Sequence, residues 1–346
     1  KLSSCENVTM KEVESLLDGN LCRCTGYRPI LDAFKALSSD ASENLQQSLA
    51  DIEDLYTSSC SKKGSKCEVT CDADGSCTKK TIMLNGDIML NEHVSKWATT
   101  SIDVTASGVR WMRPTTLQEL SRIIYELKLS SDFRIIAGNT GQGVYKPNGP
   151  SSNYIDISMV NELAEMPTVI DNESVGDSIK LGAMITLGTC IKIFEKVSTM
   201  PGFSHLDLLA EHWRKVANTS VRNLGTWAGN LMLKHKHNEF PSDIFITLAA
   251  VDAQLDVLCC DNSSPHIKTQ SMEEFLNMDM AHAVIVSITL PALPSNVQIR
   301  TYKVSSRAAN SHAYVTAAFC FYLDPNDGIT LVRRPKLLYG GISPHL

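Results

Sequence analysis

Cys22-Arg23-Cys24 places two thiols one residue apart, directly ahead of Thr25-Gly26-Tyr27-Arg28-Pro29. A [2Fe–2S] cluster takes four protein ligands, usually thiolates, because each iron completes a tetrahedron with two sulfides and two cysteines. Cys22 and Cys24 therefore make half of such a site. Cys5 is the only cysteine upstream, and it has no cysteine neighbour. A bare Cys-x-Cys also fits two inert thiols at a helix terminus, but the flanks favour ligation. Thr9 and Glu12 have the spacing of a capping box for a helix running through Leu17, and Asp18-Gly19-Asn20 stops it. Pro29 starts a second helix over Ile30, Leu31, Phe34 and Leu37. The cysteines fall in the loop between the two, where backbone N–H groups can point at sulfur.

Two further segments have the chemistry of an anion cradle. Arg134-Ile135-Ile136-Ala137 reads as a short buried strand and runs into Gly138-Asn139-Thr140-Gly141-Gln142-Gly143. Three glycines in six residues let the backbone turn sharply and leave successive N–H groups uncovered, as a pyrophosphate requires. The spacing is not that of a Rossmann fingerprint, and an ordinary loop fits the same letters. Downstream, Val221-Arg222-Asn223-Leu224-Gly225-Thr226-Trp227-Ala228-Gly229-Asn230 combines close-approach glycines with short polar arms at Thr226 and Asn230. Pro241-Ser242-Asp243 then caps a helix through Ile244, Phe245, Leu248 and Ala249. Asp243 has two readings, a helix cap or a contact to a ribose hydroxyl.

Gly19 through Ala33, centred on Cys22-Arg23-Cys24-Thr25-Gly26, resembles the all-helical second iron–sulfur domain of the xanthine dehydrogenase and aldehyde oxidase family. In that family the partner Cys-Gly-x-Cys lies about thirty residues earlier, so the resemblance puts it ahead of residue 1. Ala137-Gly138-Asn139-Thr140 resembles the loop that holds flavin diphosphate in the family, and the run from Arg222 to Asn230 together with Pro241-Ser242-Asp243 resembles its FAD site. The implied fold is α+β: a FAD-binding domain of the PCMH, or vanillyl-alcohol-oxidase-like, type with a small C-terminal α+β domain. The expected divisions are a helical iron–sulfur remnant over 1–40, a flexible linker over 41–108, the FAD domain over 109–292 and the C-terminal domain over 293–346.

The resemblance implies a set of FAD contacts: Ile135, Ile136, Ala137, Gly138, Asn139, Thr140, Gly141, Gln142, Val216, Thr226, Gly229, Asn230, Ser242, Asp243, Ile285 and Lys303. Val216 and Ile285 match apolar positions against the flavin ring, and Lys303 matches a cation near it; a solvated strand lysine is the alternative for Lys303. Leu233 stands where several members carry a hydroxyl. Cys22 and Cys24 are the implied iron ligands, with the molybdenum cofactor belonging to domains outside this sequence. No catalytic acid, base or nucleophile is expected, because flavin chemistry asks the protein for orientation and electrostatics.

Composition narrows the class. Among 346 residues, 38 acidic against 32 basic side chains give a net charge of −6, which offers no field for nucleic acid or an anionic membrane. No apolar run approaches membrane-spanning length. Eleven cysteines are an odd number; Cys190, Cys259, Cys260 and Cys320 sit in apolar runs and read as reduced core residues of a cytoplasmic protein. From about Ser38 to Gly108 the chain is rich in Ser, Lys, Asp and Gly, and Cys60, Cys67, Cys71 and Cys77 lack metal-pair spacing. Ordered structure is expected to resume at Trp111, with a helix from a Thr cap over Leu117, Leu120, Ile123, Ile124 and Leu127. Lys234 to Phe240 reads as a solvent-facing basic insert. Strands are expected at Val315–Leu323, Ile329–Val332 and Leu337–Ile342.

Within the family, dehydrogenases bind NAD through an aromatic and basic stretch. Here Met272 to Met280 has no arginine and three acidic residues, which leans toward an oxidase returning electrons to dioxygen. The wording of His237 to Asp243 looks most like insect aldehyde oxidases. The implied whole enzyme is a homodimer that hydroxylates an aldehyde at molybdenum and passes electrons through two [2Fe–2S] clusters to FAD. This chain alone is expected not to oxidise aldehydes. The competing readings are a flavin module reducing NAD, an independent FAD oxidase, and an inactive truncated product.

Overall fold

Thr9 accepts from Glu12 N while the Glu12 carboxylate returns to Thr9 N at 2.9 Å, so the expected capping box opens α1, Met10–Leu16. The computed structural model describes residues 8–17, 28–48, 100–129, 132–145, 149–165, 167–170, 178–260, 264–307 and 310–343. These belong to two units, Lys1–Ser95 and Lys96–Leu346. In the first, α1 is followed by α2, Arg28–Lys35, and α3, Glu43–Ser48. Lys35 Nζ pairs with Glu14 at 2.8 Å, and Met10 N donates to Asp40 Oδ1 at 2.6 Å. Cys22 and Cys24 lie outside the described residues, as do Cys60, Cys67, Cys71 and Cys77.

Two regular elements fall inside the span expected as linker. Residues 43–48 are helical, and structure resumes before Trp111 with β1, Ile102–Ala106. It pairs antiparallel with β2, Val109–Arg113, across a two-residue turn in which Ser107 (φ 52°) and Gly108 (φ 79°) are both left-handed. That is the hairpin turn whose twist matches the strands. The Ser- and Thr-rich composition hid an alternating strand.

Thr116 caps α4, Leu117–Glu126, which buries Leu120, Ile123 and Ile124 as its periodicity requires. β3, Phe133–Ile136, and β4, Asn153–Asp156, complete a sheet of order β1-β2-β4-β3, parallel across its last two pairings. A second sheet is antiparallel throughout, in the order β5-β6-β9-β7-β8. Its strands are β5 (Thr168–Ile170), β6 (Ser178–Gly182), β7 (Gln254–Cys259), β8 (His266–Ser271) and β9 (Ala283–Pro291). Between β6 and β7 come α5 (Leu187–Val197), α6 (His205–Arg214), α7 (Thr219–Leu224), α8 (Trp227–Lys236) and α9 (Asp243–Ala250); α10 (Met272–Asn277) precedes β9. Every residue of α9 is buried, so it is a core helix without a solvent face.

A third sheet follows, β10 (Val297–Ser305), β11 (Ala313–Tyr322) and β12 (Lys336–Gly340), antiparallel in that order. α6 packs on β10, and α9 on β11 and β12. The strand expected at Ile329–Val332 does not form; only Leu331 makes an isolated bridge, to Leu323. Asp327 Oδ1 accepts from both Ile329 N and Thr330 N at 2.9 Å, spending on a turn the amides a ladder needs. Ile329 is left 82% exposed.

Trp213 and Trp227 anchor the main core and satisfy their ring N–H groups, Trp213 on Thr247 Oγ1 at 2.9 Å and Trp227 on Gly182 O at 2.8 Å. Cys190, Cys259, Cys260 and Cys320 are buried free thiols, as expected.

Candidate functional site

β3 delivers Ile135 and a buried Ile136, then Ala137, into the glycine turn. Asn139 takes the left-handed conformation (φ 53°) and a short 3-10 helix follows over Thr140–Gly143. Among the described residues the N–H groups of Gly138, Asn139, Thr140 and Gly141 find no acceptor in the chain. Asn139 Oδ1 is held by Gln142 Nε2 at 2.7 Å. Such a row of amides suits phosphate oxygens.

The second segment lies directly against the first. A Cβ on Gly138 would sit 1.8 Å from Leu224 O, and one on Gly225 would sit 2.9 Å from Thr140 Oγ1. Gly138 is thus required by backbone approach, and Gly225 by the Thr140 side chain together with Val221 O at 3.0 Å. Thr226 caps α8, its hydroxyl accepting from Gly229 N at 3.0 Å. Gly229 itself is exposed. Asn230 Oδ1 accepts from Ser242 Oγ at 2.6 Å, and Ser242 in turn accepts from Phe245 N at 3.0 Å. Leu233 packs under the turn, its Cδ1 3.6 Å from where a Gly141 Cβ would stand.

Asp243, Lys303, Val216 and Ile285 are placed differently. Ser242, not Asp243, is the helix cap. Asp243 is 6% exposed and engaged at both oxygens, by His212 Nε2 at 3.0 Å and Lys303 Nζ at 2.8 Å. Burial would raise its carboxyl, but the hydrogen bond from His212 and the Lys303 charge outweigh it and hold the group below the usual carboxylate range. Lys303 also donates to Lys215 O at 2.8 Å and its side chain is 3% exposed, so it is not a solvated strand lysine. Val216 is half-buried and its carbonyl accepts from Arg222 Nη1 at 2.8 Å. Ile285 is 3% exposed, on a β9 buried along both faces.

His212 and Arg222 were missed as organising residues. His212 is fully buried 31 positions before Asp243, a spacing that carries no sequence signal. Arg222 gathers the carbonyls of Arg214, Val216 and Ala217. The insert was read as solvent-facing, yet Lys234 to Lys236 form the last turn of α8, Lys234 is 7% exposed with Nζ on Asn238 O, and Phe240 is buried. A surface cleft of about 520 Å³ lies elsewhere, lined in part by Thr116, Glu119, Arg122 and Cys260, and touches neither glycine segment.

Comparison with known proteins gives the family and the fold. The family model for the FAD binding domain in molybdopterin dehydrogenase matches residues 105–293, and one for a [2Fe-2S] binding domain matches residues 2–35. The carbon monoxide dehydrogenase structure from Hydrogenophaga pseudoflava superposes with a TM-score of 0.54 at 19% identity, over 70% of this chain and 77% of that one. Quinoline 2-oxidoreductase from Pseudomonas putida 86 gives 0.50 at 21%, over 69% and 76%. The fold is that of a PCMH-type FAD-binding domain within an α+β architecture.

An indole-3-acetaldehyde oxidase of Arabidopsis thaliana is 31% identical over 98% of this chain, and an abscisic-aldehyde oxidase of the same plant is 31% identical over 99%. The chain belongs to the xanthine dehydrogenase and aldehyde oxidase family of molybdo-flavoenzymes. It spans about a quarter of the length of these relatives, 24% in each case.

The glycine segments fit FAD: the Gly138 to Gly141 amides have no acceptor among the described residues, Gly143 has nothing within 4 Å of its missing Cβ, and Gly229 is exposed. Asp243 and Lys303 fit less directly, since each is already paired with the other.

Proposed function

We propose that this chain is the FAD-binding electron-transfer part of a molybdenum hydroxylase acting on aldehydes, receiving electrons from [2Fe–2S] clusters and delivering them to dioxygen. The observation that carries the reading is the contact of the two glycine segments beside a turn whose Gly138 to Gly141 amides have no acceptor among the described residues. The names of the relatives supply the substrate class. Bound FAD supplies the two-electron carrier; the chain supplies position and charge. On this reading Ile135 to Gln142 and Thr226, Gly229, Asn230 and Ser242 frame the diphosphate, while Val216, Asp243, Ile285 and Lys303 support the ring end from behind.

Dioxygen is preferred over NAD as acceptor because no arginine occurs from Met272 to Met280. Glu274 is less telling than its charge suggests, being spent on a capping box with Ser271. For the whole protein the proposal extends to a cytoplasmic homodimer. No helix among the described residues is long and apolar enough to cross a membrane.

Purification tests the reading. The expected product is yellow or takes up added FAD stoichiometrically, and once reduced by dithionite it is reoxidised by air-saturated buffer but not by NAD. A colourless chain that ignores FAD overturns the flavin assignment, and rapid reoxidation by NAD overturns the acceptor.

A further inference from the structure

Tyr145 and His237 stack face to face, with ring centroids 3.8 Å apart and planes 6° from parallel. Tyr145 is the residue on which the glycine turn closes: its N–H donates to Gly141 O at 3.1 Å, beside that of Val144 at 3.0 Å. His237 is the C-cap of α8, its N–H on Leu233 O at 2.9 Å. Phe240, buried, meets the Tyr145 ring edge-on at 6.2 Å and 86°. Glu239 Oε1 is 3.6 Å from His237 Nδ1. The Glu239 carboxyl is held below its usual range by its own backbone N–H first, with the Tyr145 hydroxyl and His237 adding to the effect. Among the described residues no cluster of three metal-ligating side chains exists, so His237 is not accounted for by a metal.

The stack therefore joins the exit of the glycine turn to the far end of the helix whose first turn carries Gly229 and Asn230. A glycine-rich turn loses much conformational freedom on ordering, and a ligand that needs it ordered binds more weakly by that cost. A contact that fixes the turn beforehand removes part of the cost. We propose that His237, through its stack on Tyr145, is a positioning residue that holds the Gly138–Gly143 turn in its FAD-binding shape. The inference rests on the flavin reading above.

FAD titration of the wild-type chain and two variants, read by flavin fluorescence, tests it. His237→Ala is expected to bind FAD roughly three- to tenfold more weakly, with faster amide hydrogen exchange across residues 138–145 and an unchanged midpoint of thermal unfolding. His237→Phe keeps a flat ring and is expected to recover affinity to within about twofold of wild type. Unaltered affinity in His237→Ala overturns the inference, as does His237→Phe binding no better than His237→Ala. A wild-type chain that takes up no FAD instead overturns the reading beneath it, and the exchange measurement still decides whether the stack orders the turn.

Discussion

Gly138 has no room for a side chain, since the first atom of one would overlap Leu224 O at 1.8 Å. Backbone does not yield cheaply, so Gly138→Ala is expected to push the two glycine segments apart, lose FAD uptake and destabilise the fold by about 1–3 kcal/mol. Flavin absorbance after purification together with a urea melt checks both effects. At this scale much was legible. Glycines announce themselves because few residues tolerate close approach, and Gly138 against Leu224 O is such a place; the left-handed residue of the turn is Asn139 instead. Polar side chains announced less. Thr226 offers a hydroxyl in sequence, but its oxygen serves Gly229 N, and Asp243 offers a carboxylate that two distant residues already hold. A residue type states what bonds are possible; only the neighbours decide which are made.

Among elements, the decisive joint lies between α9 and the third sheet. Asp243 on α9 pairs with Lys303 on β10 and with His212 on α6, and His212 lies 3.3 Å from Thr316 on β11. Removing the lysine leaves the buried Asp243 carboxylate with His212 as its remaining partner, so Lys303→Met is expected to cost about 3 kcal/mol. Asp243 also makes stability depend on acid. Its folded-state pKa is depressed, so the unfolded chain takes up the proton first as pH falls. The stabilisation is complete above the unfolded value of about 4 and is lost as pH drops through the lower folded value. Urea melts from pH 7 down to pH 3 should show this decline in the wild type and a shallower one in Asp243→Asn. The helices and strands themselves were largely visible as periodicity and caps. Two local competitions were not: the strand at Ile102–Ala106, flanked by Thr99, Thr100, Ser101 and Ser107, and the turn that Asp327 imposes on an apparently strand-like Ile329–Val332.

For the unit from Lys96 onward as a whole, ligand and fold are linked. A cofactor that binds only the folded state adds stability that grows with its concentration, about 2.7 kcal/mol at a hundredfold excess over Kd. Thermal melts of the wild-type chain are therefore expected to rise steadily with added FAD, and those of Gly138→Ala to stay flat. Family membership was readable from short motifs, because cysteine spacing and glycine turns leave compact signatures. The buried ion pair and the Tyr145–His237 stack were not, because their partners lie 60 and more positions apart in sequence.

The antiparallel pairing of β6 with β9, Ser178 opposite Pro291, encloses every helix from Leu187 to Ala250 within one excursion of the chain. Leu224 and Gly225 ride on that excursion, while Gly138 hangs from a different sheet. Closing so long a loop carries an entropy cost that must be met before its contacts return anything, which makes such topologies slow to fold. The contact between the glycine segments is accordingly expected to form late in folding, and a short peptide cut from either segment alone would not contain it.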